Sequence, residues 1–316
     1  MAEMQSAATV LMIRPAQFGS NPQTQDSNAF QSAAVLPSAQ RAAIAEFDGL
    51  VAELRGADVN VLVIDDTPEP VTPDALFPNN WFTTHADGTV VLYPMRAPNR
   101  RAERRMDLLD RLRVSGFVCS RLVDLSAHEF DGRYLEGTGS LVLDRARRIA
   151  FACISPRTDL TLLELWGKEL GYRCFAFEAR DLAGRDIYHT NVMLSVGGRW
   201  SVVCASAVAD PERRRQLLDA LAADDRSVVQ IDMDQMAAFA GNILELRDSS
   251  GGSVIAMSAQ AHAALLPAQL GALTQHARIV AVPVPTIEAV GGGSVRCMLA
   301  ELFLPLQGSS RNGGCV

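Results

Sequence analysis

Residues 190–206 read TNVMLSVGGRWSVVCAS. Two apolar runs flank Gly197-Gly198, the pattern of two short strands joined by a tight turn. The pattern recurs at 79–95 (NNWFTTHADGTVVLYPM), 138–155 (TGSLVLDRARRIAFACIS) and 241–258 (GNILELRDSSGGSVIAMS). Superposed, the four segments align Asn80, Gly139, Asn191 and Asn242, a repeat of about fifty residues. Helical patterns follow the last three, at 158–171, at 210–223 with Asp210 as cap and Pro211 in the first turn, and at 262–277 despite Pro267. Single strands then close the units: FVCSRLVDL (117–125), RCFAFEA (173–179), SVVQID (227–232) and RIVAVPV (278–284). The N-terminal unit is a strand at 9–15, a helix at 38–56 with Ile44, Phe47, Val51 and Leu54 on one face, and a strand at 59–65. Units of hairpin, helix and strand predict an α/β fold arranged around an axis, with strand ends converging on a central site.

Composition narrows the class. The 316 residues carry a net charge of −7, with 48% apolar and 21% charged residues, as in an ordinary globular protein. Such a charge argues against nucleic acid or an anionic membrane as partner. No span-length apolar run occurs, and MAEMQSAATVLMI lacks the basic start of a leader peptide. Cysteines 119, 153, 174, 204, 297 and 315 are scattered, with neither a disulfide framework nor metal-ligand spacing. The expectation is one cytoplasmic domain over 1–316 with a flexible tail from about 307, no metal and no cofactor. Its partner would be a small molecule, and the chain would act alone or as a homodimer. The arginine-rich stretch 96–113 reads as a solvated amphipathic helix, with Met106, Leu109 and Leu112 at helical spacing.

Three polar clusters occupy equivalent corners of the repeat: FPNNW (77–81), YLEGTGS (134–140) and YHTNV (188–192). VGGGSVRCML (290–299) brings a fourth, with Cys297 after a glycine run. Taken singly, His189 reads as structural and Cys153 or Cys204 as core. Together, Cys297, His189 and Glu136 are the parts of an activated-thiolate catalyst.

From MIRPAQFGSNPQTQDSNAFQ to RCMLAELFLP the chain resembles the guanidino-group modifying superfamily, which includes arginine deiminase and dimethylarginine dimethylaminohydrolase. Within it, the likeness is strongest to the citrulline-utilisation hydrolases. The resemblance implies a five-bladed α/β propeller. It places the family's Glu-Gly-Gly-Asp on EGTG with Glu136, its His-x-Asp on HTN with His189, and its nucleophile on GGGSVRCM with Cys297. Its Ser-x-Arg-Thr segment falls on SPRT, so Arg157 is expected to hold a substrate carboxylate. Arg14, Arg96 and Asn28 are further candidates for the α-amino-acid end.

The departures from the family pattern bear on the substrate. Two carboxylates that grip a guanidinium in arginine-handling members are Asn80 and Asn191 here, and the aspartate of Glu-Gly-Gly-Asp is Gly139. A buried carboxylate suits a cation but repels a urea oxygen, whereas an amide offers both a donor and an acceptor. These residues favour a neutral ureido substrate, with citrulline giving ornithine, ammonia and carbon dioxide through an S-carbamoyl intermediate. The alternatives are an arginine deiminase, a hydrolase of dimethylated or acylated arginine, and a non-catalytic binding propeller. Because side chains alternate along a strand, either Asn79 or Asn80 could face the substrate.

Overall fold

In the N-terminal unit, Thr9–Arg14 (β1) and Asn60–Asp65 (β2) pair in parallel, joined through the helix Ala39–Gly56. The computed structural model describes residues 3–28, 30, 31 and 39–308; the expected helix start at Ser38, most of the tail and Cys315 lie outside them. Ala43, Phe47, Leu50, Val51 and Leu54 form that helix's buried stripe, and Ile44 sits at its margin. Burying a side chain the size of Phe47 or Leu50 stabilises the fold by about 1.5–3 kcal/mol.

The doubled apolar runs form hairpins as expected. Phe82–Thr84 (β3) and Thr89–Leu92 (β4) pair antiparallel, and Arg121–Asp124 (β5) joins β4 in parallel. Val142–Asp144 (β6), Ile149–Cys153 (β7) and Arg173–Phe177 (β8) repeat this order. So do Leu194–Val196 (β9), Trp200–Val203 (β10) and Ser227–Gln230 (β11). Leu244–Arg247 (β12), Ser253–Ser258 (β13) and Arg278–Val282 (β14) form a fourth such sheet. The N-terminal unit lacks a hairpin partner in its own sequence. Ala300–Leu302 (β15) supplies it, pairing antiparallel with β1 so that the two ends of the described chain share one sheet. Among the described residues there are five three-stranded sheets, each with an antiparallel neighbour on one side of its central strand and a parallel one on the other.

Helices cover the sheets through apolar faces. Asp159 caps Leu160–Leu170 by accepting from the Leu162 amide at 2.8 Å, and Gly171 ends it in the left-handed conformation. Trp166 of that helix is fully buried in a cluster with Ala150 and Ala152 of β7, and its indole N–H donates to the Tyr93 hydroxyl at 2.8 Å. Asp210 caps Pro211–Leu221 as its sequence suggests.

Two helical expectations need correction. The stretch 96–113 is two helices, Pro98–Arg101 and Asp107–Val114, with Met106 exposed between them and Leu108, Leu109 and Leu112 buried. Arg100 is not solvated; it is 2% exposed and ion-paired. Likewise 262–277 is broken: Ala259–Ala264 stops before Leu265, and Pro267 opens a second helix to Thr274. Proline lacks the N–H that a helix interior needs, so it starts the second helix instead of sitting inside one.

Candidate active site

In three of the four hairpin units the first strand is preceded by a tight turn that carries the aligned residue, Asn80, Gly139 or Asn191. Pro78–Asn80 and Thr190–Val192 are 3₁₀ turns, Gly137–Ser140 is a single helical turn, and Val295–Met298 is a 3₁₀ turn leading into β15. Neighbouring corners are tied together. Thr138 Oγ1 donates to Asn79 O at 3.3 Å, Thr190 Oγ1 to Ser140 O at 2.6 Å, and Asn242 Nδ2 to Asn191 O at 2.9 Å. Asn242 Nδ2 also lies 3.3 Å from Cys297 Sγ, and Asn191 Nδ2 lies 3.5 Å from it. Residues from five places in the sequence therefore meet around one thiol.

Cys297 is 4% exposed and borders a narrow cavity of about 20 Å³. The wall includes Thr24, Asn28, Asp74, Phe77, Asn80, Arg100, Arg157, Tyr188, His189 and Gly291–Gly293. The glycine run is a tight turn. Ile287–Gly291 forms a π-helical turn, and Gly292 ends it at φ +65, where a Cβ would strike Asn28 Nδ2 at 2.6 Å. Asn28 and Tyr188 both donate to Gly292 O, at 3.2 and 2.8 Å.

Glu136 is fully buried behind His189, its Oε2 lying 2.8 Å from His189 Nε2. Its Oε1 accepts from the Arg96 amide at 3.0 Å, and Oε2 is 3.4 Å from Arg157 Nη1. Burial alone would raise the Glu136 pKa, but Arg157, the His189 hydrogen bond and Arg100 outweigh it and hold the carboxyl below its ordinary range. An ionised Glu136 accepts, so His189 donates from Nε2 and its Nδ1 carries the free lone pair. Burial lowers the His189 pKa to about 4 despite the raising effect of Glu136, so the ring is neutral at neutral pH.

Gly139 lies beside this ring. A Cβ there would fall 2.5 Å from Asn80 Nδ2 and 2.7 Å from His189 Nδ1 and Cε1. Asn80 and His189 thus face each other across a corner that only glycine leaves open. Asn80 Oδ1 accepts from Arg100 Nη1 at 2.8 Å, while its Nδ2 is buried without a partner. Asn191 Oδ1 is buried and unpartnered too.

The remaining expected residues divide. Asn80 borders the cavity and Asn79 does not; the two share a 3₁₀ turn, so strand alternation does not govern them. Arg157 borders it, but its guanidinium also holds Ser27 Oγ at 2.8 Å and Thr24 O at 3.2 Å. Arg96 pairs with Asp26 at 2.8 Å, and Arg14 pairs with Asp48 at 2.7 Å; neither is in the wall. Sequence reading missed Asp74, Arg100 and Asn242 as site residues. Asn242 could have been found from its repeat register; nothing in the sequence separates Arg100 from its surface-facing neighbours. Among the described residues there is no cluster of three or more His, Cys, Asp or Glu fit to hold a metal, and no helix long and apolar enough to cross a membrane.

The model of the family "N,N dimethylarginine dimethylhydrolase, eukaryotic" matches residues 14–304. The chain belongs to this family. Dimethylarginine dimethylhydrolases act on carbon–nitrogen bonds and fall within the guanidino-group modifying superfamily. No curated protein sequence matches the chain. Among solved structures it shares the fold of ArgZ, an arginine dihydrolase from the ornithine–ammonia cycle in Cyanobacteria, at 16% identity and a TM-score of 0.74. That match covers 94% of this chain and 41% of ArgZ, so the chain spans well under half of that protein. The N-terminal domain of ArgZ, as a cysteine-to-serine mutant bound to substrate, matches at 16% identity and a TM-score of 0.73, covering 94% of this chain and 99% of that domain. Dimethylarginine dimethylaminohydrolase from Pseudomonas aeruginosa, a cysteine-to-serine mutant complexed with citrulline, matches at 12% identity and a TM-score of 0.65, covering 94% and 99%.

The buried histidines are expected to make this dimethylarginine dimethylhydrolase family member acid-sensitive. Burial, reinforced by Arg145, lowers the His85 pKa to about 3, well below the 6.5 of a free side chain. The unfolded chain takes up these protons as pH falls through 6.5, and the folded chain refuses them, so stability is lost from there downward. At pH 5 the expected loss is about 2 kcal/mol for His85, with His189 acting in the same direction. Urea unfolding at pH 7.5 and pH 5 checks this; equal midpoints would show that both rings charge freely in the folded protein.

Proposed function

We propose that the chain is a cysteine-dependent hydrolase of a ureido amino acid, with citrulline as the substrate that best suits its residues. The carrying observation is a pair of unpartnered amide atoms: a donor on Asn80, which borders the cavity with Cys297, and an acceptor on Asn191, whose Nδ2 lies 3.5 Å from Cys297 Sγ. A ureido group has one carbonyl oxygen to meet the donor and N–H bonds to meet the acceptor. A guanidinium has donors only and leaves Asn80 Nδ2 facing another N–H. In this reading the five sheets are blades about an axis that runs through the cavity.

Neutral His189 takes the Cys297 proton from Sγ as the thiolate attacks the ureido carbon. Asn80 Nδ2 donates to the oxygen as it gains charge; an oxyanion donor of this kind contributes about 3–4 kcal/mol. His189 returns the proton to the ornithine nitrogen as the carbon–nitrogen bond breaks, leaving an S-carbamoyl cysteine. It then deprotonates the attacking water, and the carbamic acid released breaks down to ammonia and carbon dioxide. Glu136 keeps the ring's orientation and tautomer throughout. Arg157 and Asp74 are the charged groups in the wall suited to the α-amino-acid end.

Asp74 supports a second reading. Its Oδ1 is buried without a partner, and a carboxylate so placed suits a cation. Under that reading the chain would be an arginine dihydrolase, as its structural neighbour ArgZ is described, and would take arginine through to ornithine. Assaying citrulline, arginine, dimethylarginine and succinylarginine side by side decides. We expect citrulline to give ornithine, ammonia and carbon dioxide in equal amounts, and no citrulline to accumulate from arginine. Two ammonia per ornithine from arginine would favour the second reading, and citrulline as an end product would overturn both.

A further inference from the structure

We infer that Arg100, clamped by Glu103, is a positioning residue that locks the Asn80 amide with its NH₂ group toward His189, and thereby selects a carbonyl oxygen over a guanidinium at that point. The inference rests on the ureido reading above.

The geometry leaves Asn80 little choice. A guanidinium offers donors only, so the Asn80 atom 2.8 Å from Arg100 Nη1 is the carbonyl oxygen. Turning the amide over would set two donors against each other in a buried site where neither finds water. The rotor is therefore fixed by its partner, and the NH₂ group is what remains for the cavity. Its position follows from Gly139, whose missing Cβ would touch both Asn80 Nδ2 and the His189 ring.

Arg100 is itself held on several sides. Glu103 receives Nε at 2.9 Å and Nη2 at 2.8 Å, a two-pronged clamp between two buried side chains, and Phe77 O accepts from Nη2 at 3.2 Å. The clamp neutralises Arg100 locally, so it presents the cavity with an oriented amide and little net charge from the pair. Its neighbours Arg101 and Arg104 instead pair with Glu129. The row of arginines thus contains one member turned inward onto the amide.

The test removes Arg100 together with its clamp, by Arg100→Met with Glu103→Met; Asp74, 3.7 Å from Arg100 Nε, keeps its hydrogen bond from Asn21 Nδ2 at 2.7 Å. With Asn80 free to turn, kcat on citrulline is expected to fall roughly 10- to 100-fold, less than or comparable to losing an oxyanion donor outright, with KM within about 3-fold. The same fall is expected with the decarboxylated analogue of citrulline, which has the ureido group and no carboxylate. An unchanged kcat overturns the proposal. So does a loss confined to KM and absent for the decarboxylated substrate, because that would put Arg100 on the substrate carboxylate. If circular dichroism shows the double variant unfolded, Arg100→Lys replaces it: a lysine cannot hold Glu103 with two prongs and also reach Asn80, so a fall in kcat is again expected and wild-type kcat is the contrary result. Wild-type protein inactive on citrulline would overturn the ureido reading itself, a result distinct from a variant that behaves like wild type.

Discussion

Cys297→Ser is expected to lower turnover by at least about 10⁴-fold while leaving the fold unchanged. Cys297 is buried at 4% exposure, so a smaller oxygen in place of sulfur opens only a slight void. What changes is chemistry. A thiol yields its proton to a neutral imidazole far more readily than a hydroxyl does, and the thiolate is the stronger nucleophile. Asn242 and Asn191, at 3.3 and 3.5 Å, are spaced for sulfur, and the shorter side chain withdraws from both. Turnover on the preferred substrate, together with a thermal unfolding midpoint within a few degrees of wild type, is the measurement. Substantial activity in the serine variant would remove Cys297 from the reaction, and the proposed S-carbamoyl route with it.

Gly139→Asp restores the aspartate of the superfamily motif and is expected to damage this protein twice. The new Cβ would sit 2.5 Å from Asn80 Nδ2 and 2.7 Å from His189, closer than real Cβ contacts come. Neither neighbour can retreat cheaply, since Asn80 is held by Arg100 and His189 by Glu136. Overpacking of this kind costs about 1–3 kcal/mol of stability. The carboxylate would add a buried charge near Glu136. We expect kcat to fall by about 10²-fold or more, because a shift of about 1 Å in the catalytic ring alone has that effect. Gly139→Ala should show the packing loss without the charge. If the aspartate variant keeps wild-type turnover, the Asn80–His189 corner is looser than described, and the absence of a carboxylate there does not set the substrate.

Much of the molecule was legible beforehand because hairpins announce themselves locally. Alternating apolar runs around Gly197-Gly198 or Gly251-Gly252 specify paired strands without reference to distant residues, and the repeat register aligned the corners correctly. Asn242 shows what register contains beyond motif: it lies in line with Asn80 and Asn191, yet it carries no family signature. Arg100 shows the opposite limit. In a run of arginines at helical spacing, inward and outward members have the same composition. Its burial depends on Glu103, Asp74 and Phe77 being close in space.

The sequence by itself determined the hairpins and the helices with capped ends, since each follows from local pattern, and its residue chemistry put Cys297, His189 and Glu136 forward as a candidate set. Only the tertiary structure decided that Ala300–Leu302 completes the N-terminal sheet, which joins the two ends of the described chain and sets Cys297 among the other corners. It also decided which way the amides of Asn80 and Asn191 face. An amide's donor and acceptor ends differ only by a rotation, and that rotation is set by partners twenty to a hundred residues away.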